Sequence, residues 1–310
     1  MDFAFTAEQQ ELKRQARAWL SDRFPLDRDF DAPQDDAWAE LAELGWLGVS
    51  IAEEDGGTGL TFLEEAILFE ELGYALYPGP YFGTIALALP ALGPEERAAV
   101  AAGDVRWSGE VRGLVPWLGS VDRVVSRGSA YDARGEDLPT VDPSRPLGRL
   151  EHGEATPLAG SPDVARARAA GACEAVGIAQ RALELGIEHA RTREQFGKPI
   201  GVYQAVSHAL ADTYADVEFA RSLAYWAAWC VAEGDEQASV AAAAAKAFAA
   251  EAAVAACERA IQVHGGTGFT WEHPLHRFYK RALWLEGFGA RPAELRAEVA
   301  DAVLGVAIRV

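Results

Sequence analysis

The sequence predicts a mainly α-helical protein in which two helical regions flank a short β segment. Residues 1–104 and 163–310 carry apolar side chains at the three- and four-residue spacing of helices that bury one face. Residues 105–162 instead carry short alternating runs among glycines, prolines and aspartates, which is typical of strands joined by turns. The predicted organisation is an N-terminal helical domain (1–104), a short β domain (105–162) and a C-terminal helical bundle (163–310).

The N-terminal domain opens with a capping box, because Thr6 and Gln9 stand three residues apart before the first apolar run. Pro25 ends that helix. Further helices are predicted at about 35–44, 61–77 and 95–102, with an apolar helix that ends at Ala91. The glycines of the 53–59 loop follow three acidic residues, which would repel a phosphate, so this loop is predicted to be a plain turn.

In the middle segment, strands are predicted at 105–111, 114–118 and 123–126. Helical periodicity then returns at 164–189, 202–232, 238–263, 275–285 and 293–307. The third of these helices is nearly all alanine, which allows close approach of other helices on several sides, so a bundle is predicted. Lys246 and Glu251 interrupt its apolar run, and a buried helix is therefore expected there rather than a membrane span.

Charge and cysteine content exclude several classes of protein. The net charge of −19 argues against a nucleic-acid partner, which requires a basic face. Residues 1–110 hold 7 basic and 22 acidic side chains, whereas residues 165–310 hold 15 and 17, so an anionic ligand is expected in the C-terminal half. The three cysteines are widely spaced and predict neither disulfides nor a metal site. The start of the chain shows no targeting pattern, and a cytoplasmic location is expected.

The stretch 190–206, ARTREQFGKPIGVYQAV, joins two predicted helices through a break that contains two glycines and a proline. Arg191, Arg193 and Lys198 place three cations there, in a chain that is otherwise strongly acidic. Tyr203 and Gln204 then lead into the next helix. A cationic corner with an aromatic ring suits a flat ring joined to an anion, such as a nucleotide. The alternative is a basic last turn that offsets the helix dipole.

Two segments resemble those of a known family. TREQFGKPIGVYQAV resembles the R-x-x-FG-x-x-(I/L)-x-x-x-Q segment of the acyl-CoA dehydrogenase family of flavoenzymes, and AIQVHGGTGFTWEHPL (Ala260–Leu275) resembles its Q-x-x-GG-x-G-(F/Y) segment. DFAFTAEQQELK and ELGWLGVSIAEEDGGTGLTFLEEAILFEELGYA are similar to the family's N-terminal region. The resemblance covers about residues 2–90 and 165–310. It implies an acyl-CoA dehydrogenase-like fold in which the middle β domain of the family is truncated.

The resemblance implies an FAD site shared between subunits, in which one middle domain holds the flavin ring and the neighbour's bundle holds the ADP half. The residues that match the ADP-half positions are Arg193, Gln195, Phe196, Gln262, Gly265 and Gly266. A guanidinium fork suits the pyrophosphate, and glycine lets the backbone approach it closely. An ordinary interhelical turn remains the alternative for the glycines. The family's flavin-ring loops have no match here, and His208 and His264 are expected to be surface or core histidines.

The catalytic base of the family also lacks a clear match. In most members it belongs to a Glu-Gly pair some 15 residues after the proline that corresponds to Pro274, a position held here by Gly289. Glu286-Gly287 comes almost one helical turn earlier, so Glu286 is only a weak candidate. In other members the base lies on the first bundle helix, at the position of Ala167, which cannot act as a base.

These observations together predict a supporting subunit of an FAD-dependent acyl-CoA dehydrogenase. The chain resembles the short, degenerate subunit of heterotetrameric α2β2 bacterial enzymes, which often handle bulky CoA esters such as steroid side chains. The expected partner is a homologous full-length subunit that holds most of the acyl-CoA. Two alternatives stay open: a self-sufficient homo-oligomer with Glu286 as base, and a flavin-free helical scaffold or regulatory protein.

Overall fold

The computed structural model describes residues 4–30 and 36–305 and confirms the mainly helical fold. Helix α1 (Ala7–Arg23) begins with the predicted capping box: the Thr6 hydroxyl accepts from the Gln9 N–H, and the Gln9 side chain accepts from the Thr6 N–H. Helix α2 (Trp38–Glu43) follows. Its predicted start near residue 35 lies outside the described residues.

The helix predicted to end at Ala91 is not an α-helix. After α3 (Phe62–Tyr74), which Thr61 caps, Phe82–Ala88 form a buried π-helix and Leu89–Ala91 a 3-10 turn. The Leu89 N–H bonds to the Thr84 carbonyl five residues back, and Pro90 has no N–H with which to continue an α-helical pattern. The Thr84 hydroxyl also bonds to the backbone of Trp107, which ties this turn to the β segment. Helix α4 (Pro94–Ala101) closes the N-terminal region.

The β segment forms two small sheets, with more strands than the sequence predicted. Strands β1 (Trp107–Gly109), β3 (Arg123–Ser126), β4 (Ser129–Asp132) and β7 (Thr156–Pro157) form a sheet in which β1 and β3 are parallel. Strands β2 (Val115–Pro116), β6 (Leu147–Leu150) and β5 (Gly135–Leu138) form an antiparallel sheet. Strands β5 and β6 contain glycine and charged residues, and β7 is only two residues long, so these sequences lack the alternation that identifies a strand.

Five helices form the C-terminal bundle: α5 (Val164–Thr192), α6 (Gln204–Glu233), α7 (Ala238–His264), α8 (Leu275–Gly287) and α9 (Pro292–Leu304). The predicted continuation of the last helix to 307 lies outside the described residues. Helix α5 is central, since it packs on α7 and on α3. Its contact with α3 is so close that a Cβ at Gly177 would lie 1.9 Å from the Glu70 carbonyl oxygen. One hydrophobic core therefore runs through both helical regions, and the division into three domains stays a prediction.

Helix α7 is long and apolar enough to span a bilayer, and among the described residues the segment Ala238–Phe269 is the one that meets this criterion. However, 67% of its most apolar window is buried inside the protein. Its alanines pack against α5 and α6, so the helix belongs to the core of the bundle. The three cysteines are also buried, as predicted.

A buried ion network fixes the β segment between the two helical regions. Arg281 of α8 donates to Asp142, to the Ser144 hydroxyl and to Glu174 of α5, and its Nη1–Glu174 Oε1 distance is 3.0 Å. Arg145 bonds to the same Glu174 carboxylate, and its guanidinium lies 4.4 Å from the ring centre of Trp284. These charged side chains are almost completely buried. Their ion pairs attach the segment that carries Asp142 and Arg145 to both α5 and α8.

Candidate functional site

A tight hairpin follows α5 and holds the first cluster of predicted ligand residues. Arg193 is the residue that caps the helix, and strands β8 (Glu194–Gln195) and β9 (Lys198–Pro199) pair directly after it. The turn residues Phe196 and Gly197 have φ of 54° and 77°. Two positive φ values are typical of the type I′ turn that joins two-residue hairpins. The predicted break between the helices is therefore an ordered hairpin that projects from the bundle.

The hairpin presents its predicted ligand residues to solvent. Phe196 is 91% exposed although it is a large apolar side chain in a strained backbone region. The exposed Arg193 guanidinium has no hydrogen-bond or ion-pair partner among residues 4–30 and 36–305. The Gln195 side-chain amide donates to the adjacent Glu194 carbonyl, and the Gln195 backbone carbonyl accepts from the Tyr203 hydroxyl. An exposed arginine and an exposed aromatic ring on one hairpin suit an anionic ligand that carries a ring.

The second cluster lies where α7 ends. Gly265 caps the helix with φ of 62° and ψ of −135°, a conformation that favours glycine. At Gly266 a built Cβ meets no atom of the described residues within 4 Å, so packing within them does not require a glycine. Gln262, one turn earlier, is exposed. The open space over Gly266 leaves room for a ligand or another chain to approach the backbone, as a site for the ADP half of FAD requires.

Stacked histidines bring the two clusters together. His189, one turn before Arg193, stacks on His264, which directly precedes Gly265, with ring centres 4.1 Å apart. Six predicted FAD ligands therefore belong to one corner of the bundle. The sequence left open whether His264 and His208 are surface or core histidines; His264 is buried and His208 is exposed. The stack itself was missed, because residues 189 and 264 are far apart in sequence and nothing local marks them as neighbours.

A mainly apolar cavity of about 310 Å³ lies between the β segment and the bundle. Its apolar lining includes Phe82, Leu87, Val125, Leu285 and Phe288. Both residues at the family's base positions, Ala167 and Gly289, also line this cavity. Neither can accept a proton from a substrate carbon.

The acidic residues near this cavity are not arranged as a free base. Asp163 lines it, but its carboxylate caps α5 by accepting from the Arg166 N–H. Glu110, which the sequence interpretation did not consider, lines it too, and its carboxylate accepts from the Ser126 hydroxyl. Glu286 is absent from the lining. Partial burial and the neighbouring Glu251 and Glu258 raise the pKa of Glu286 above its ordinary value.

A buried lysine forms part of the cavity wall. Lys246 donates to the carbonyls of Phe288 and Ala290, each at 2.7 Å, and so holds the segment that carries Gly289. Burial, together with the repulsion of Arg168 and Arg112, lowers its pKa to about 8. Its role in the described structure is to fix the turn between α8 and α9.

The cavity and the ligand corner lie far apart on the same chain. Ala167 and Arg193 are separated by 26 residues of helix α5 and its cap, which at about 1.5 Å per residue is about 39 Å. The geometry therefore fits a cofactor that is shared between chains.

Comparison with known proteins agrees with the fold. Residues 6–96 match the acyl-CoA dehydrogenase N-terminal domain, and residues 161–300 match the acyl-CoA dehydrogenase C-terminal domain. The acyl-CoA dehydrogenase IpdE2 of Mycobacterium tuberculosis is 35% identical over 273 residues, which cover 83% of this chain and 82% of that protein.

Two solved structures have similar folds. One is a complex of two chains, and the other is described as a steroid ACAD. A chain of the ChsE4-ChsE5 complex from Mycobacterium tuberculosis is 25% identical, with a TM-score of 0.86 and coverage of 99% of this chain and 100% of that chain. A chain of the Tcur3481-Tcur3483 steroid ACAD is 26% identical, with a TM-score of 0.84 and coverage of 96% and 98%.

Two helical regions around a short β segment form an acyl-CoA dehydrogenase fold. The chain belongs to the acyl-CoA dehydrogenase family. The activity of this family is oxidoreduction of acyl-CoA thioesters. One of the similar solved structures is a complex of two chains.

Proposed function

We propose that this chain is the supporting subunit of an FAD-dependent acyl-CoA dehydrogenase, assembled as an α2β2 heterotetramer with a homologous full-length chain. The observation that carries the proposal is the lining of the cavity, where Ala167 and Gly289 occupy the two positions of the family's base. A chain without a base in its own cavity needs a partner that supplies one. The corner of the same chain nevertheless keeps a full set of residues for the ADP half of FAD.

The corner residues fit the two ends of that half. Arg193 would pair with the pyrophosphate through its planar fork, and the open backbone at Gly265 and Gly266 would let the phosphates or ribose come close. Phe196 and Gln195 would provide an apolar wall and a polar contact. FAD, when bound, would accept the β-hydride of the acyl-CoA while the partner's base removes the α-proton. This chain's part is to bind and orient the cofactor.

The short β segment also supports a site in which the partner holds the flavin ring. Residues 105–162 form two small sheets, and the segment is fastened down by the buried Arg281 network rather than left open as a ring-binding surface. The separation of about 39 Å along α5 favours a site that another chain completes. The flavin ring and most of the acyl-CoA would then belong to the partner. We propose a bulky CoA ester of the steroid side-chain type as substrate, and the steroid description of a similar structure supports this. A cytoplasmic location is part of the proposal.

Flavin content tests the proposal directly. The chain purified alone should hold little FAD, whereas the chain co-purified with its partner should hold FAD in stoichiometric amount. Arg193→Ala should weaken FAD binding by the assembled complex about ten- to hundredfold, since a charge-assisted hydrogen bond contributes about 1.5–3 kcal/mol. Arg193→Lys should restore part of the affinity, because lysine keeps the charge without the fork.

Arg191→Ala is the matched control, because Arg191 is an equally exposed arginine two residues earlier on the same turn. Its FAD affinity should stay within about twofold of the parent, which is the scale of an isolated surface charge. Equal dissociation constants for the parent and Arg193→Ala would refute the shared site at this residue.

One observation favours a second candidate, a self-sufficient homo-oligomer that uses Glu286. The raised pKa of Glu286 is what a general base requires, although the residue does not line the cavity. A stoichiometric yellow chromophore in the homogeneous chain would establish this candidate and reject the heterotetramer.

A further inference from the structure

Three histidine rings form a column behind the ligand corner. His189 of α5 stacks on His264 at the end of α7, with ring centres 4.1 Å apart and planes inclined by 26°. His264 then contacts His273, which precedes α8, at 4.4 Å and 53°. Each ring comes from a different element, so this histidine column joins the helix that ends at Arg193 to the turn that begins at Gly265.

Hydrogen bonds fix where protons reside in the neutral column. His264 is 8% exposed, and its Nδ1 lies 2.8 Å from the Ala260 carbonyl oxygen. A carbonyl only accepts, so Nδ1 of His264 carries the proton and Nε2 carries the lone pair. The Leu275 N–H donates to Nδ1 of His273, so in that ring the proton of the neutral form is on Nε2.

The surroundings oppose the addition of a further proton to the column. Burial, and then His264, His189 and His276, lower the pKa of His273 to about 4. Burial, His264 and Arg193 lower the pKa of His189. The neighbours that lower these two pKa values are thus an arginine cation and histidines that become cations when protonated.

Charged groups on the adjoining segments are exposed or paired, except Lys280 of α8, which is partly buried over the Trp271 ring. Those that flank the column at the surface are Glu188, Arg191, Glu194, Lys198 and Glu272. Between helices α6, α7 and α8, Arg259 is paired with Asp216, and the Tyr279 hydroxyl donates to Glu258. The protonation of His189 would therefore be changed most by a negative charge that arrives beside Arg193.

We propose that the histidine column makes the binding of a pyrophosphate diester at this corner proton-linked, with tighter binding at lower pH. This inference rests on the proposed function, in which Arg193 and the diglycine turn hold the ADP half of FAD. A bound pyrophosphate diester brings two negative charges next to Arg193 and offsets the field that opposes protonation of His189. The occupied corner then accepts a proton that the empty corner resists.

The sign and size of the effect follow from linkage. Because the ligand raises the pKa of His189, affinity increases as pH falls through the interval between the empty and occupied values, and is constant above and below that interval. One linked proton changes affinity by at most about tenfold per pH unit. Between pH of about 7.5 and 5.5 we expect affinity to increase about three- to tenfold.

ADP-ribose is the probe, since it carries the ADP half without a flavin and its phosphodiester oxygens lack the titration near pH of about 6 of a phosphate monoester. Isothermal titration calorimetry of the full chain, in buffers with different ionisation enthalpies, gives both the dissociation constant and the number of protons taken up. The parent and the control His208→Gln, an exposed histidine outside the column, should take up between about half a proton and one proton per ligand near pH of about 6. His189→Gln should take up almost none, with an affinity at the higher pH within about twofold of the parent.

The outcomes separate this inference from the proposed function. Binding that is independent of pH in the parent, or equal proton uptake in His189→Gln, overturns the linkage while the ADP-half site stands. No binding of ADP-ribose at any pH overturns the site and the linkage together.

Discussion

Removal of the Arg281 guanidinium should be among the most destabilising single changes in this protein. The side chain is fully buried and serves Asp142, Glu174, Ser144 and the Tyr77 carbonyl at once. In Arg281→Met two carboxylates would stay buried with only Arg145 to compensate them. Loss of one partner of a buried ion pair costs about 3–5 kcal/mol, and we expect a loss of that size in the free energy of unfolding.

Urea unfolding, followed by circular dichroism and tryptophan fluorescence, measures the effect. The control is Arg296→Met, because Arg296 forms a two-pronged pair with Glu251 in which the side chains are 54% and 40% exposed. That exposed pair should contribute at most about 1 kcal/mol. Equal losses in the two variants, with unchanged dependence on urea, would refute the reasoning.

The dependence on pH gives an independent check. Burial alone would raise the pKa of Asp142, but Arg281 lowers it below its ordinary value, so the parent gains stability above the unfolded-state pKa and loses it as pH falls. In Arg281→Met that gain is absent. The stability difference between parent and variant should therefore shrink as pH falls from about 7 to about 4. Asp142→Asn combined with Glu174→Gln in the Arg281→Met background should recover part of the loss at neutral pH.

Three further predictions concern the site. Glu286→Gln and Glu110→Gln should each leave turnover of the assembled complex within a few-fold of the parent; a loss of about 10²–10⁴, typical of a missing base, would contradict the proposal. Gly266→Val should change the free energy of unfolding by at most about 0.5 kcal/mol, because a Cβ at this position meets no described atom within 4 Å. The same variant should weaken FAD binding, and unchanged FAD affinity would count against the site. Because the pKa of His273 is lowered to about 4 in the folded protein, stability should fall as pH decreases below the unfolded-state pKa of about 6.5. His273→Gln should reduce that loss by about 1–2 kcal/mol after allowance for solvent screening. An equally steep loss in the variant would contradict this assignment.

The sequence alone determined the order of most helices and identified the candidate ligand residues. Local signals sufficed for these features: the capping box at Thr6, the glycine-proline break after Arg193, and apolar periodicity along α5 to α9. The motif around Arg193 and the one around Gly265 were each readable as segments. These signals lie within a few residues of one another, so no knowledge of the fold was needed to find them.

Tertiary contacts decided the backbone of the segment that ends at Ala91. Its apolar residues predicted an α-helix, but Pro90 and the bond of the Thr84 hydroxyl to Trp107 produce a π-helix. In the β segment, polar strands such as Gly135–Leu138 form only because neighbouring strands satisfy their backbone groups.

Only the tertiary structure decided how the functional parts are arranged. The sequence identified Ala167 and Gly289 as separate departures from the family, and the fold brings both to one cavity. It likewise stacks His189 on His264 and buries Arg281 between carboxylates from two distant segments. The physical reason is that local pattern sets which face of a helix is apolar, whereas the pairing of polar groups across the core depends on which helices pack together.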